Sequence, residues 1–426
     1  MQNMPKIGRR QVVCGLAGLG FVRPALAQAE SLVPGSDMDQ SVTLQTALHS
    51  AAASGHLRLP AGRFRVSGIM FLGNMVVEGV PGATWLVGTG GAIGTISAQS
   101  DIVLRDIGFA GDAGDEPLLT VAAASRITLE RCRFRDSPAT ALSLYQSSAT
   151  IRDCDFAGHG DAAIHALDSS GLLISDNRIS RCGNAGIRVW RSESGPDGTI
   201  VTGNRISGID WRGGGNGQNG NGINVYMADE VIVADNHIRD CAFSAIRLNT
   251  TRNSQVSGNQ CLNSGEVAIF SEFGFSGSVI TANIVDGAAC GISITNLDAG
   301  GHLAVCADNI VRNIFPRSEV NPDAMPIGIF AEAETAIGGN VIENVPGVGI
   351  AAGWGPYLRN VVVANNLVAA SRIGIGVSLA QGAGAVTISG NRIDATEHDI
   401  VGMAWTDIIE PDLMSSADKY PHITFQ

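Results

Sequence analysis

A chain of 426 residues with 54 glycines, 45% hydrophobic and 16% charged residues is too apolar to be disordered and long enough to bury a large core. Its formal charge of −12 disfavours nucleic acid and anionic lipid as partners. It carries no Cys/His metal spacing, nucleotide loop or flavin motif, so the sequence implies no cofactor.

In chain order, Arg9-Arg10 precedes an apolar run from Val12 to Val22, and Ala25-Leu26-Ala27 offers a small-x-small cleavage site. The run of about 11 residues is short of the ~20 needed to span a bilayer. Residues 1–27 therefore resemble a twin-arginine signal peptide, which implies a periplasmic or secreted chain with no membrane anchor once the signal is removed. Removal takes Lys6, Arg9, Arg10 and Arg23 and no acid, leaving a formal charge of −16. Cys14 leaves too. The remaining seven cysteines are expected as buried free thiols, with a bond between Cys132 and Cys154 left open by their repeat positions.

Residues 28–58 read as an N-terminal cap, with an amphipathic helix from Leu44 to Ala53 that opens after polar residues 37–41 and stops at Gly55. Residues 59–405 carry a repeat: apolar, two residues, Asn, one residue, apolar. Ile174-Ser-Asp-Asn177-Arg-Ile179 and Val201-Thr-Gly-Asn204-Arg-Ile206 are two copies. It returns at Asn236, Asn259, Asn283, Asn309, Asn340, Asn366 and Asn391, with Cys132 and Cys154 in earlier copies and Ile107 in a degenerate first one. Successive spacings from Cys132 run from 22 to 32 residues. Each copy is one supersecondary turn that buries its apolar face only by stacking, and about 12 coils are expected.

A second phrase, small-Ile-x-apolar, lies between the Asn copies, as in Gly186-Ile187-Arg188-Val189 and Ala245-Ile246-Arg247-Leu248. Period two turns its apolar residues inward and the residue between them outward. Leucine-rich repeats would need leucines at fixed offsets, and a propeller a period nearer 40. Residues 406–426 lose the repeat and read as a C-terminal cap over the last coil.

These phrases resemble the pectate lyase and polygalacturonase superfamily, and together with the export signal they are similar to a family of Tat-translocated parallel β-helix repeat proteins. The resemblance implies an all-β, right-handed, single-stranded parallel β-helix with an N-terminal capping helix. In that fold the Asn sits at a sharp turn, where tolerance of left-handed backbone and an amide ladder both help. The small-Ile-x-apolar strands would floor a groove for a polysaccharide or oligosaccharide. No activity follows from the fold. Gly158-His159-Gly160 matches one polygalacturonase motif, but the Asn-Thr-Asp, paired Asp and Arg-Ile-Lys motifs of that family are missing, so His159 reads as a turn residue. The Tyr-Gly-Phe-Asp-Pro-His motif of alginate epimerases is also missing.

Outward positions on the groove strand, read coil by coil, are His165, Arg188, Asn224, Arg247, Phe270, Ser293 and Phe330. Two residues further on stand Tyr145, Trp190, Tyr226, Asn249, Glu272, Thr295 and Glu332. Aromatic faces beside amides and charges suit sugar rings and their hydroxyls. Two long loops, 208–220 and 315–326, enter this strand from one side. The binding candidates are Trp190, Trp211, Tyr226, Asn224, Asn249, Phe270 and Glu332. For hydrolysis two carboxylates are required, Glu272 with Asp210 or Asp229. A lyase would use Arg188 or Arg247 to neutralise a uronate carboxylate. Binding or processing of a polysaccharide is the expected function, and the alternative, a non-catalytic glycan- or protein-binding envelope module, rests on the absent catalytic motifs.

Overall fold

The computed structural model describes residues 27–29, 31–215 and 217–426. The expected signal segment lies outside these residues up to position 26.

Short alternating strands stack coil on coil in three columns. One is a 16-stranded sheet made of the segments before each repeat Asn, such as Leu173–Ser175, Ile200–Thr202 and Ile232–Ala234. The second follows the Asn, as in Arg178–Cys182 and Arg205–Ile209, and the third is the groove side, as in Ala162–Leu167, Ala185–Pro196 and Asn221–Asp229. The last two columns merge into one 25-stranded sheet, because strands such as Gln260–Glu272 run through both. Pairing between coils is parallel and in register, with Ile187 opposite Ile223 and Ile223 opposite Ile246. The fold is thus a parallel β-helix of about 14 coils. That exceeds the motif count, because the coils holding Gly62–Arg65 and Thr84–Thr89 turn on Pro60 and Pro81, where no Asn or Cys marks them.

The core is a set of stacks. Phe109, Phe134 and Phe156 occupy one inward position in successive coils, with ring centroids 4.9 and 4.6 Å apart, and Ile179, Ile206 and Ile238 continue it. At the corner, the Asn204 side-chain oxygen accepts from the backbone N–H (3.0 Å) and Nδ2 (2.9 Å) of Asn177, while Asn204 Nδ2 donates to the Ile174 carbonyl (2.9 Å). The same pattern repeats to Asn391. A polar group this deep is tolerated only because donors and acceptor are met. Cys154 and Cys132 keep part of the scheme: their thiols donate to the equivalent carbonyls of Leu129 (3.5 Å) and Leu104 (3.3 Å). All seven described cysteines are free and buried.

Two expectations need correction. The left-handed residue of the corner precedes the Asn: Asp153, Asp176, Asp235 and Asp308 have φ of 55 to 57°, and Gly203 and Gly258 fill that place elsewhere. The chain reverses there so that the Asn side chain can face the ladder, and Asp and Gly accept that backbone. His159 is an inward core residue, 1% exposed, in register with Cys182, rather than a turn residue. Gly158, at φ 79°, interrupts the alternation and swings His159 inside.

Both ends of the solenoid are covered. The helix Ser41–Ala51 starts three residues earlier than expected and turns Leu44, Leu48 and Ala51 inward at helical spacing. Gln45 pairs with both backbone groups of Met70 (3.0 and 2.9 Å), which satisfies the first groove strand where no earlier coil exists. At the far end Asp407–Glu410 pairs antiparallel with His398–Ala404, and Ile423–Phe425 adds a last parallel strand beside Val386–Ser389.

Candidate functional site

The register of the groove strands is the expected one: His165, Arg188, Asn224, Arg247, Phe270, Ser293 and Phe330 are consecutive partners. In the neighbouring column Trp190, Tyr226, Asn249 and Glu272 follow one another, with Leu167 between Tyr145 and Trp190. Trp190, Asn224, Tyr226, Arg247, Asn249 and Glu272 line one pocket on this face, closed at its sides by residues 217–218 and Phe273. Six of the twelve sequence candidates therefore meet in one place.

The charged members of that group are bound to each other. Arg247 Nε and Nη2 donate to the two carboxylate oxygens of Glu272 (2.7 and 2.8 Å), and its Nη1 donates to Glu266 (2.9 Å). Asn249 adds a third donor to Glu272 (2.9 Å), and Asn321 donates to Glu266 (2.7 Å). All three charged side chains are buried. Burial raises the Glu272 carboxyl above its ordinary 4.5 against the pull of Arg247, and burial works against the Arg247 charge but is outweighed by the two glutamates. An arginine does not give up its proton here, so the two glutamates close around one guanidinium charge.

Arg188 follows the same logic one face-length earlier. Its two terminal nitrogens grip the Asp161 carboxylate (3.0 Å each) and one also donates to Asn219 (2.8 Å). Burial tends to raise Asp161, and Arg188, Asn184 and Thr140 together overcome it and hold the carboxyl below 3.8. The arginines also hold the first long loop. Asn219 caps Arg188, Asn224 donates to the Gln218 carbonyl (3.3 Å), and a Cβ on Gly217 would come 2.2 Å from Arg247 Nη1. Only glycine lets the loop backbone lie on that guanidinium, whose other side faces the Phe270 ring at 5.0 Å.

Besides these charged groups, the pocket is lined by aromatic rings and two amides. Arg188 lies over the Trp190 ring at 5.1 Å, and Trp190 meets His165 and Tyr226 edge to face at 5.2 and 6.1 Å. Burial, then the Arg188 charge, lowers His165 to about 4, so it is neutral at pH 7.

Other candidates lie elsewhere. Asp210 accepts from the Trp211 N–H (2.8 Å) and Arg212 (3.0 Å), and lines a separate recess with Arg181 and Asp240. Trp211 packs on Phe243 at 5.1 Å and donates to Gly215 O, which fixes the loop. Asp229 is buried and accepts from the Arg252 N–H. Glu332 stands in the Trp190–Glu272 column beyond Thr295 and accepts from the Leu297 N–H (2.7 Å); burial raises it to about 7. Glu266 and Asp161 were not singled out from sequence, yet both follow a glycine at the entry to a groove strand, Gly265-Glu266 and Gly160-Asp161. Among the described residues no group of three or more His, Cys, Asp or Glu could hold a metal, and no helix is long and apolar enough to cross a membrane.

A family model described as right handed beta helix region matches residues 118–310. No curated protein matches the sequence. Among solved structures, the chain is similar to the A-module of the Azotobacter vinelandii mannuronan C-5 epimerase AlgE4, at 14% identity over 94% of this chain and 99% of that one, with a TM-score of 0.52. It is also similar to the N-terminal fragment of bacteriophage Phi29 gene product 12 (13% identity, 90% and 73% covered, TM-score 0.57). Bacteriophage CBA120 tailspike protein 3 gives 11% identity, 90% and 62% covered and a TM-score of 0.51. At such identities the likeness is one of fold, and that fold is a right-handed parallel β-helix.

Proposed function

We propose that this chain is an exported glycan-binding β-helix whose ligand lies against Trp190 and Tyr226, with Asn224 and Asn249 meeting its hydroxyls. The observation that carries this reading is the pocket itself: two aromatic rings and two amides surround a floor whose charges are already paired. Sugar rings stack on aromatic faces, and amides take directional hydroxyl bonds. Support for a glycan also comes from the AlgE4 module, whose name states action on mannuronan. Export through the twin-arginine route rests on Arg9-Arg10 and the apolar run after it.

The Arg247–Glu272 pair favours binding over chemistry through those two side chains, since each is buried and held by the other in two charge-assisted bonds. A processing reading, as hydrolase or lyase, draws its support from Glu332, whose carboxyl near 7 suits a general acid or base. Calorimetry or ligand-observed NMR against neutral and uronate oligosaccharides is the test. Trp190→Ala and Tyr226→Ala are each expected to weaken binding roughly tenfold. Undiminished binding by both variants, or none by the wild type, would remove the reading. Product analysis on the same panel decides the processing arm: turnover lost in Glu332→Gln supports it.

A further inference from the structure

Beyond Phe330 the outward column changes character. Where earlier coils present Arg188, Asn224 and Arg247, the next partners in register are Ala351 and Gly376. The small residues leave a hollow in the sheet face, and three aromatic side chains stand around it. Trp354 lies 6.3 Å from Phe330 and 5.4 Å from Trp405, with interplanar angles of 69° and 79°. Met403, one place further along the strand, closes the floor: a Cβ on Gly376 would meet its sulfur at 2.6 Å.

These walls come from outside the repeat. Trp354 projects on a small hairpin in which it exchanges both backbone hydrogen bonds with Tyr357 (3.0 Å each). Trp405 follows the last groove strand with φ at 55°, a backbone that a bulky side chain adopts only when its surroundings hold it there. Its ring rests on Gly355, where a Cβ would come within 2.4 Å. Neither indole N–H donates to another described residue. The one ionisable side chain in the lining, Arg372, is already paired with Glu397 (3.1 Å). The hollow is thus largely apolar, about 130 Å³ in volume, with two indoles and one ion-paired arginine in its lining.

We infer that the hollow between Phe330, Trp354 and Trp405 is a second sugar subsite, which takes the methyl-bearing substituent of a neutral pyranose, such as an acetamido group. The inference rests on the glycan reading above and extends it. The lining offers no unpaired charge to a charged substituent, since Arg372 is bonded to Glu397. A methyl group fits the floor of Ala351 and Met403, and the indole N–H groups reach hydroxyl or carbonyl oxygens of the ring above it. The hollow lies on the same outward face as the Trp190–Tyr226 pocket. Five coil steps of about 4.8 Å separate the coil of Tyr226 from that of Ala351, roughly 24 Å, so one oligosaccharide of several units reaches both.

The test compares N-acetylglucosamine oligomers with glucose oligomers, from disaccharide to hexasaccharide, by calorimetry on the full chain. The wild type is expected to bind the acetamido series with affinity that rises at least tenfold once the oligomer spans both pockets. Trp354→Ala and Ala351→Leu should each erase that rise and leave disaccharide binding at Trp190 and Tyr226 unchanged. Ala351→Leu fills the hollow from an outward position, so it serves if the tryptophan variant misfolds. An equal rise in the glucose series, or long-chain binding untouched by either variant, overturns the second subsite and leaves the first reading standing. Failure of the wild type to bind either series overturns both.

Discussion

The Asn corner and the groove face are two columns of one solenoid, built on the same backbone repeat, and they differ in what varies. At the corner, nine coils from Asn177 to Asn391 present one side chain in one hydrogen-bonding role. On the groove face, ten successive outward places run from His165 through arginines, an amide and two phenylalanines to Ala351, Gly376 and Val401. Repetition marks the side chains that hold coil to coil. Variation over a constant backbone marks a surface whose members answer to something other than the fold.

The sharpest way to break that distinction is Arg247. It sits on the variable face yet is buried, with Glu266 and Glu272 against it. Arg247→Met leaves two carboxylates buried without a cation, and a loss of about 3–5 kcal/mol is expected in urea denaturation. The triple variant with Glu266→Gln and Glu272→Gln should recover most of that loss. A single variant as stable as the wild type would mean that the cluster is solvated and Arg247 is available to ligand. At the corner, Asn259→Ala strips the acceptor from the Asn236 N–H and Nδ2, which are both buried. Its cost is expected at about 2–3 kcal/mol, with faster hydrogen exchange at the Asn236 amide. No change at that amide would mean the ladder is incidental to the stack.

The difference between the columns also governs what could be read from sequence. The repeat carried the fold, the register and the composition of the groove columns, because period two and a period near 25 residues fix which way each side chain points. The Trp190–Glu272 grouping was legible for that reason. Whatever departs from the period was not. Glu266 and Asp161 sit at strand entries, outside both phrases, so the partners of Arg247 and Arg188 were missed and the arginines looked free. Trp354 and Trp405 stand on a hairpin and on the terminal segment, where no repeat assigns a direction. His159 was misplaced by one glycine, since the backbone of Gly158 turns the next residue through the sheet. The corner Asp was overlooked because the neighbouring Asn is the louder signal.

His159 and Glu332 sharpen the comparison through pH, since one belongs to the core stack and the other to the groove face. Burial lowers His159 from 6.5 to about 4, against a backbone contact with Phe134 that favours the charged ring. The unfolded chain then takes up a proton below pH 6.5 while the folded chain does not. The stability present above 6.5 is lost as pH falls toward 4, by up to about 3 kcal/mol. His159→Leu should remove the loss on that acid limb, so that its denaturation midpoints gain on those of the wild type as pH falls from 6.5 toward 4. A limb of unchanged slope would mean the ring is hydrated.

Glu332 has the opposite sign and a smaller expected effect. Burial raises it from 4.5 to about 7, so the folded chain keeps a proton that the unfolded chain has released. Its contribution is complete below pH 4.5 and is lost as pH rises toward 7, with the Leu297 N–H reducing the loss by stabilising the charged form. Between pH 4.5 and 6.5 the two groups oppose each other, and the wild-type profile there should be flatter than that of either variant. Glu332→Gln removes the rise on acidification and leaves the His159 fall exposed, a change of about 2 kcal/mol across the window. A Glu332→Gln profile parallel to the wild type would mean that this carboxyl titrates alike in the folded and unfolded chain, and would withdraw the acid or base on which the processing reading depends.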